Sequence, residues 1–351
     1  MRVADTNENQ LITTFRELLP SGERTLIGSG DDCAQIVTPE GHFIVTTDVL
    51  VEGRHFRVDW SSAYEIGARA AAQNLADIAA MGGRASGLVV SLVLPADTEV
   101  DWLNDLVEGC GDRAREAGAG VVGGDLSSGD QLVIAVTAMG WCPHGVVVRS
   151  GAQPGDVLAV AGTLGRSAAG LAALSSGKVP PCTPSAELPS SIREAVSVFR
   201  TPVPPLEAGV HAALAGVHAM MDVSDGLAVD AQRMAKASGA VIEVDPALLK
   251  EDVDALLPLV RLVNPEDSDA EEGYARSWVV GGGEDHSLLA AFPHEAPLPE
   301  GFRPIGRVRA CRGGESPAAL MNGRKMTGGW DHFACDAIDG RACNHRREGE
   351  R

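Results

Sequence analysis

Six short words in the chain place carboxylates where an ionised side chain is costly unless it is paired or holds a cation. They are Gly28-Ser29-Gly30-Asp31-Asp32, Thr46-Thr47-Asp48, Asn74-Leu75-Ala76-Asp77, Gly123-Gly124-Asp125, Met221-Asp222-Val223-Ser224-Asp225-Gly226 and Gly281-Gly282-Gly283-Glu284-Asp285. Each sits inside an apolar or glycine-rich run. Taken singly, each has a plain reading. Asp31-Asp32 fits an Asx turn, and Asp48 fits a helix cap. Asp77 lies mid-helix among Leu75, Ile78 and Ala79, and with Arg69 and Gln73 it makes an i, i+4, i+8 polar line that a solvated face would also give. Asp125 follows a strand running into glycines that let a ligand approach the backbone. Asp222 interrupts a run suited to a buried strand, and Ser224-Asp225-Gly226 then opens a helix, whose N-terminus favours anions. Together, carboxylates at strand ends and helix starts describe a site for metal and phosphate. An all-oxygen donor set of this kind suits Mg²⁺ rather than zinc or copper.

The elements that must hold these residues alternate along the chain. His42–Val51, Gly87–Leu94, Gln131–Met139 and Val146–Arg149 read as strands from their β-branched content, with helices over Ser61–Met81 and Asp101–Ala117. Ser62-Ala63-Tyr64-Glu65 opens the first helix with a capping box. After the turn-dense Gly151-Ala152-Gln153-Pro154-Gly155-Asp156 the pattern restarts. Strands are expected over Val157–Ala161, Val217–Val223, Val241–Val244, Ser277–Val280 and Ser287–Phe292, and helices near Ser167–Ser175, Leu206–Ala215 and Leu227–Ala237. The chain is therefore α/β (α+β), with a first domain over residues 1–150, a second over 151–333, and a fraying tail at 334–351. Gly162-Thr163-Leu164-Gly165-Arg166-Ser167 is either an anion loop or an ordinary strand–helix turn.

Composition removes other classes. Lys+Arg 29 against Asp+Glu 48 leaves a net charge of −19 over 351 residues, which repels nucleic acid. An anionic substrate would need a cation between itself and this surface. No apolar run is long enough for a membrane span, and Met1–Gln10 carries no signal-peptide pattern. The seven cysteines are odd in number and include no C-x-x-C pair, which suits unpaired thiols in a reducing cytoplasm. There is no G-x-x-x-x-G-K-[ST], no H-R-D or D-F-G, and no G-x-G-x-x-G.

Taken in order, these words resemble the thiamine-monophosphate kinases, a family in the superfamily of aminoimidazole ribonucleotide synthetase and selenophosphate synthetase. Further matching words are Val49-Leu50-Val51-Glu52-Gly53-Arg54-His55-Phe56, Arg149-Ser150-Gly151, and Gly329-Trp330-Asp331-His332-Phe333. The aspartate words are shared across the superfamily, whereas the words around His55 and Trp330 are specific to the thiamine family. The resemblance implies a two-domain synthetase-like fold and a homodimer whose N-terminal mixed sheets join into a barrel, with a C-terminal α/β domain closing over ATP. It implies Asp32, Thr46, Thr47, Asp48, Asp77, Asp125, Asp222 and Asp225 as ligands of several Mg²⁺ ions. It also implies Gly124, Asp125, Arg149 and Ser224 as ATP contacts, and His55, Glu284 and Trp330 as contacts to thiamine monophosphate. Asp31 and Asp285 match the pattern without an implied role. Ala117-Gly118-Ala119-Gly120 stands where relatives place an aromatic near the adenine. The reaction implied is direct in-line transfer from ATP, which needs no general base, because a phosphate monoester is already largely dianionic at neutral pH. Two rival readings are another ATP-using member of the superfamily, such as an aminoimidazole ribonucleotide synthetase, and a non-catalytic nucleotide- or Mg²⁺-binding protein.

Overall fold

The computed structural model describes residues 8–27, 35–38, 41–180, 183–264 and 270–330, together with Arg2 and Asp5. Asp31 and Asp32, most of the acidic stretch between Asn264 and Ala270, and the words and tail after Trp330 lie outside the described residues.

The first part of the chain forms α1 (Glu8–Leu18), β1 (Thr25–Ile27), β2 (Gln35–Ile36), β3 (Ile44–Val51), α2 (Ala63–Ala80), β4 (Arg84–Leu94), α3 (Val100–Glu116), β5 (Gly120–Ser128) and β6 (Val133–Trp141). The second forms β7 (Val157–Ala161), α4 (Arg166–Ser175), α5 (Ser190–Arg200), α6 (Leu206–Leu214), β8 (Ala219–Val223), α7 (Leu227–Ser238) and β9 (Val241–Val244). It ends with α8 (Lys250–Val263), α9 (Glu271–Gly281), β10 (Ser287–Phe292), β11 (Phe302–Arg309), β12 (Ala318–Met321) and β13 (Arg324–Lys325). A four-stranded sheet runs β3-β6-β4-β5, with β4 and β5 parallel and the other pairs antiparallel. A seven-stranded sheet runs β13-β12-β9-β11-β7-β10-β8, in which only β12 and β9 are parallel. Both sheets are mixed, as an α/β (α+β) chain requires.

Helix α2 is the hinge of the arrangement. Ser62 caps it, accepting from the Glu65 N–H while Glu65 accepts from the Ser62 N–H, a reciprocal pair worth about 1 kcal/mol or so. Its alanines are small enough for neighbours to close in on every side. On one side α3 crosses so tightly that a Cβ on Gly67 would lie 1.8 Å from the Leu106 carbonyl oxygen, and one on Gly109 2.0 Å from that of Tyr64. The same helix packs on β3 and β6 of the first sheet and on β8 and β10 of the second. A shared cluster of Ala79, Ala80, Val147, Ala159, Met220 and Phe292 seals the junction between the larger cores of the two sheets.

Two expected strands are absent. Val146–Arg149 forms no ladder and bonds singly, Val147 N–H to Met81 O and Met220 N–H to Val148 O. Ser277–Val280 is the last turn of α9, because Ala275, Val279 and Val280 are buried on one face at helical spacing. Conversely α5, α8 and β11 had no counterpart among the expected elements, while β5 extends the short strand expected before Asp125.

Candidate active site

Strand alternation sorts the β3 residues by role. Thr46 and Asp48 face α2, where the Thr46 hydroxyl donates to Asp77 Oδ2 at 2.6 Å and the Asp48 N–H donates to Asn74 Oδ1 at 3.0 Å. Asn74 is fully buried and is itself held by donating to Ala70 O. Thr47 points to the opposite face, donating to Val136 O and accepting from Thr137, so its hydroxyl does not join Asp48 and Asp77. The polar line on α2 is not a solvated face. Arg69 and Gln73 are buried, and Asp77 is half-buried at the line's end.

The second sheet brings its carboxylates to the same place. Asp222, in the buried strand β8, approaches His286 Nδ1 at 3.4 Å. Glu284 forms an ion pair with Arg69, which also donates to Phe199 O at 2.6 Å and lies over the Phe199 ring at 4.9 Å. Burial pushes Asp77 up to about 7, with the Asp222 charge adding to it and the Thr46 hydrogen bond opposing. Burial also raises Asp48, against His286 and with Asp222 and Glu284. For Glu284 burial is overcome by Arg69, then His286 and His55, and its carboxyl is held below the usual range. Burial works against the His286 imidazolium, yet the hydrogen bond to Asp222 and the charge of Glu284 outweigh it and raise its pKa. The site is thus a set of carboxylates that repel one another, partly relieved by one imidazole.

Asp225 is tied down differently. Its carboxylate pairs with Arg233 at 2.6 Å, its N–H donates to Asp230, and its carbonyl accepts from the Trp330 N–H at 3.0 Å. Fully buried Asp230 is pushed up to about 7 by burial and then by Asp222. Asp125 is exposed on β5 and accepts from the Ser127 hydroxyl; Arg149 is exposed after β6. Gly124 is glycine because a Cβ would lie 2.0 Å from the Val90 carbonyl oxygen on the parallel neighbour. Ser224 is half-buried and accepts at its carbonyl from the Glu284 N–H.

His55, Glu284 and Trp330 line one cavity of about 160 Å³ with Arg54, Arg69 and Phe199, closed by Ser167, Ala168 and Leu171 of α4 and by Gly281, Gly282, Gly283 and Gly329. This is smaller than the ~300–1,000 Å³ of a whole-ligand pocket, so it suits one ring of a ligand that extends beyond it. His55 Nδ1 accepts from the Val51 N–H at 3.0 Å, which places the ring proton of the neutral imidazole on Nε2. Among the described residues no three His, Cys, Asp or Glu side chains already converge on one metal position. The donors nevertheless suit a hard divalent cation in type, and half-buried Asp48 and Asp77 and buried Asp222 are the groups whose repulsion it would relieve.

Three of the residues that build the site had no role in the sequence reading. Asn74 and His286 lie inside or beside the words that carry the resemblance, but nothing local marks them as functional. The third is Asp285, whose carboxylate occupies the N-terminus of α4, so the glycine-rich turn before that helix already holds an anion of the chain's own.

The fold and this cleft define a class. Residues 30–142 match the family model "AIR synthase related protein, N-terminal domain" and residues 153–270 its C-terminal domain. Within that class, the thiamine-monophosphate kinase of Mycobacterium tuberculosis (strain ATCC 25618 / H37Rv) is 42% identical over 315 residues, 88% of this chain and 86% of that protein. The thiamine-monophosphate kinase of Corynebacterium glutamicum is 37% identical over 335 residues, covering 94% and 95%. A solved structure of AaThiL complexed with AMPPCP and TMP superposes with a TM-score of 0.72 at 30% identity, covering 95% of this chain and 99% of that one. The chain belongs to the thiamine-monophosphate kinase family.

Proposed function

We propose that this protein transfers the γ-phosphoryl group of ATP directly to the phosphate of thiamine monophosphate, giving thiamine diphosphate and ADP. The observation that carries the reading is the adjacency of two environments. A cavity lined by His55, Glu284 and Trp330 adjoins the buried carboxylates Asp48, Asp77 and Asp222. Glu284, ionised through its pair with Arg69, faces the cationic thiamine rings, and Trp330 stacks on the pyrimidine. His55 presents its Nε2 side to the same ligand. The acceptor phosphate is its own nucleophile, so the cleft has only to position two polyanions and exclude water.

Magnesium, when bound, supplies the charge neutralisation that brings the two phosphates together. Asp48, Asp77 and Asp222 would hold it, with Asp32, Asp125, Asp225 and the Thr46 hydroxyl as further oxygen donors; the Thr47 hydroxyl, on the opposite face of β3, would not take part. Thr46 and Asn74 orient Asp77 and Asp48 through the hydrogen bonds described. Gly124, Asp125, Arg149 and Ser224 are proposed to contact the nucleotide. Residues 1–150 and 151–333 act as the two domains of the cytoplasmic enzyme, which is a homodimer. The support for dimerisation is an apolar stripe on edge strand β3 and its lead-in, where Phe43, Val45 and Val49 are 61%, 58% and 47% exposed. Sedimentation equilibrium at micromolar concentration should give twice the chain mass; a monomer would count against the interface.

The test of the reaction is incubation of purified protein with ATP, MgCl₂ and thiamine monophosphate, followed by chromatography. Thiamine diphosphate and ADP should appear in equal amounts and vanish in excess EDTA. ADP without thiamine diphosphate, or turnover in EDTA, would overturn the reading.

A further inference from the structure

The segment that carries Glu284 into the cavity is held in an unusual way. Glu284 and His286 both have left-handed backbones, with φ of 68° and 53°, which non-glycine residues adopt only when the surroundings over-determine them. Two hydrogen bonds tie the segment to the end of β8, Glu284 N–H to Ser224 O at 2.8 Å and His286 N–H to Val223 O at 3.2 Å. Between them Asp285 points the other way and is 3% exposed. Its carboxylate accepts from the Thr163 hydroxyl at 2.7 Å, the Arg166 N–H at 3.0 Å and the Ser167 N–H at 3.2 Å. Burial pushes its carboxyl up to about 6, so at neutral pH it is still the ionised acceptor these donors require.

A helix start is ordinarily capped by the residue that precedes it. Here Gly165 precedes α4 and offers no side chain, and the cap arrives from the far side of the fold. The helix turn it grips, Ser167-Ala168, is itself a wall of the cavity, as is Glu284 on the other side of Asp285. We propose that Asp285 is a positioning residue that locks two walls of the substrate cavity together, the first turn of α4 and the Glu284 loop, and so sets affinity for the ring-bearing substrate. The proposal rests on the reading of the cavity as the thiamine monophosphate site. Asp285 touches neither substrate. It acts through the first turn of α4 and the Glu284 loop, both of which line the substrate cavity.

The experiment compares wild type with Asp285→Asn, Thr163→Val and Thr163→Ser. It uses KM for each substrate, kcat, melting temperature, and the Kd of thiamine monophosphate from quenching of tryptophan fluorescence without ATP. Asp285→Asn turns one acceptor into a donor facing the α4 N–H groups, and KM and Kd for thiamine monophosphate should rise about tenfold or more. Thr163→Val removes one of the three bonds and should raise both about two- to fivefold, while Thr163→Ser, which keeps the hydroxyl, stays at wild type. KM for ATP should change by less than about twofold throughout. Equal changes for both substrates, or a lowered melting temperature with an unchanged Kd, would reduce Asp285 to a structural cap. Failure of wild type to bind thiamine monophosphate at all would instead sink the function reading, and this proposal with it.

Discussion

Replacing Arg69 by methionine isolates the interaction on which the cavity depends. The guanidinium is 2% exposed, pairs with Glu284, donates to Phe199 O and lies over the Phe199 ring. Methionine keeps the packing stem and removes the charge. Breaking a buried pair from one side costs about 3–5 kcal/mol, and partial exposure of the partner lowers this to about 2–3 kcal/mol. The partner is in this range, the Glu284 side chain being 30% exposed. At roughly 1.4 °C per kcal/mol for a chain of 351 residues, the melting temperature should fall by about 3–4 °C. The kinetic signature is more specific. In wild type the Glu284 carboxyl is held low chiefly by Arg69 against its burial. Without Arg69 the largest opposing charge is gone, burial pushes the Glu284 carboxyl up, and a larger share of it is protonated at the lower end of the pH range. A protonated Glu284 cannot oppose a cationic ring, so in Arg69→Met the KM for thiamine monophosphate should fall as pH is raised from 7 to 9. Wild type should be flat over that range, where the substrate's phosphate is already a dianion. Adding Glu284→Gln to Arg69→Met should recover most of the lost stability, because the stranded charge is then gone. A wild-type enzyme with the same pH dependence, or a variant with unchanged melting temperature and flat KM, would refute the reasoning.

Asp77→Asn should abolish turnover while raising the stability of the metal-free protein at pH 8 by about 1–3 kcal/mol, since it removes a buried charge at constant volume; equal activity or a lower melting temperature counts against the assignment. Asp77 and Asp230 have folded pKa values of about 7 against an ordinary 3.8, so each is an unfavourable charge once ionised. Their cost is absent below pH ~4, grows through the interval, and is complete above pH ~7. Calorimetry in EDTA should therefore show stability falling from pH 5 to pH 8, with Mg²⁺ restoring more of it at pH 8 than at pH 5; a flat or rising profile would be the wrong sign. Trp330 is half-buried at the cavity mouth rather than in a core, so Trp330→Ala should raise KM for thiamine monophosphate about tenfold with little change in melting temperature. A large drop in melting temperature with unchanged KM would make it an anchor instead.

The polar line Arg69, Gln73, Asp77 was legible from its spacing, because an α-helix puts i, i+4 and i+8 on one face whatever surrounds it. Which surroundings it meets was not, since a solvated face and a buried junction write the same pattern; only packing of α2 against both sheets decides. Val146–Arg149 shows the opposite failure. Its β-branched residues favour extension, but a strand also needs a ladder, and the neighbours Met81 and Met220 offer one bond each. Trp278-Val279-Val280 favours a strand locally and is overridden by the helix it completes. Strand β5 was legible only up to its glycines, because Gly124, which lets it lie beside β4, is a poor strand former by propensity. His286 could not be found from the chain, since its partner Asp222 lies 64 residues away and its contribution depends on a left-handed backbone.

The charges that make the site are also a liability in the absence of its ligands. The chain carries −19 overall, and its cleft concentrates buried carboxylates that raise one another's pKa. Such a cleft repels ATP and the phosphate of thiamine monophosphate until a cation intervenes. Cation and nucleotide must then bind with positive coupling: each removes a repulsion that the other would otherwise meet, and linkage makes the effect reciprocal. Among the described residues Arg69, His286 and Arg233 oppose the field from within the protein, and all are spent on positioning, Arg69 on Glu284, His286 on Asp222, and Arg233 on Asp225 and Asp230. None leaves an internal positive charge to replace the metal. A substitution that relieves the repulsion inside the protein therefore removes the reason for the cation to bind. On the proposed reading, stability of the empty protein and catalytic competence pull in opposite directions at Asp48 and Asp77, and together at Arg69.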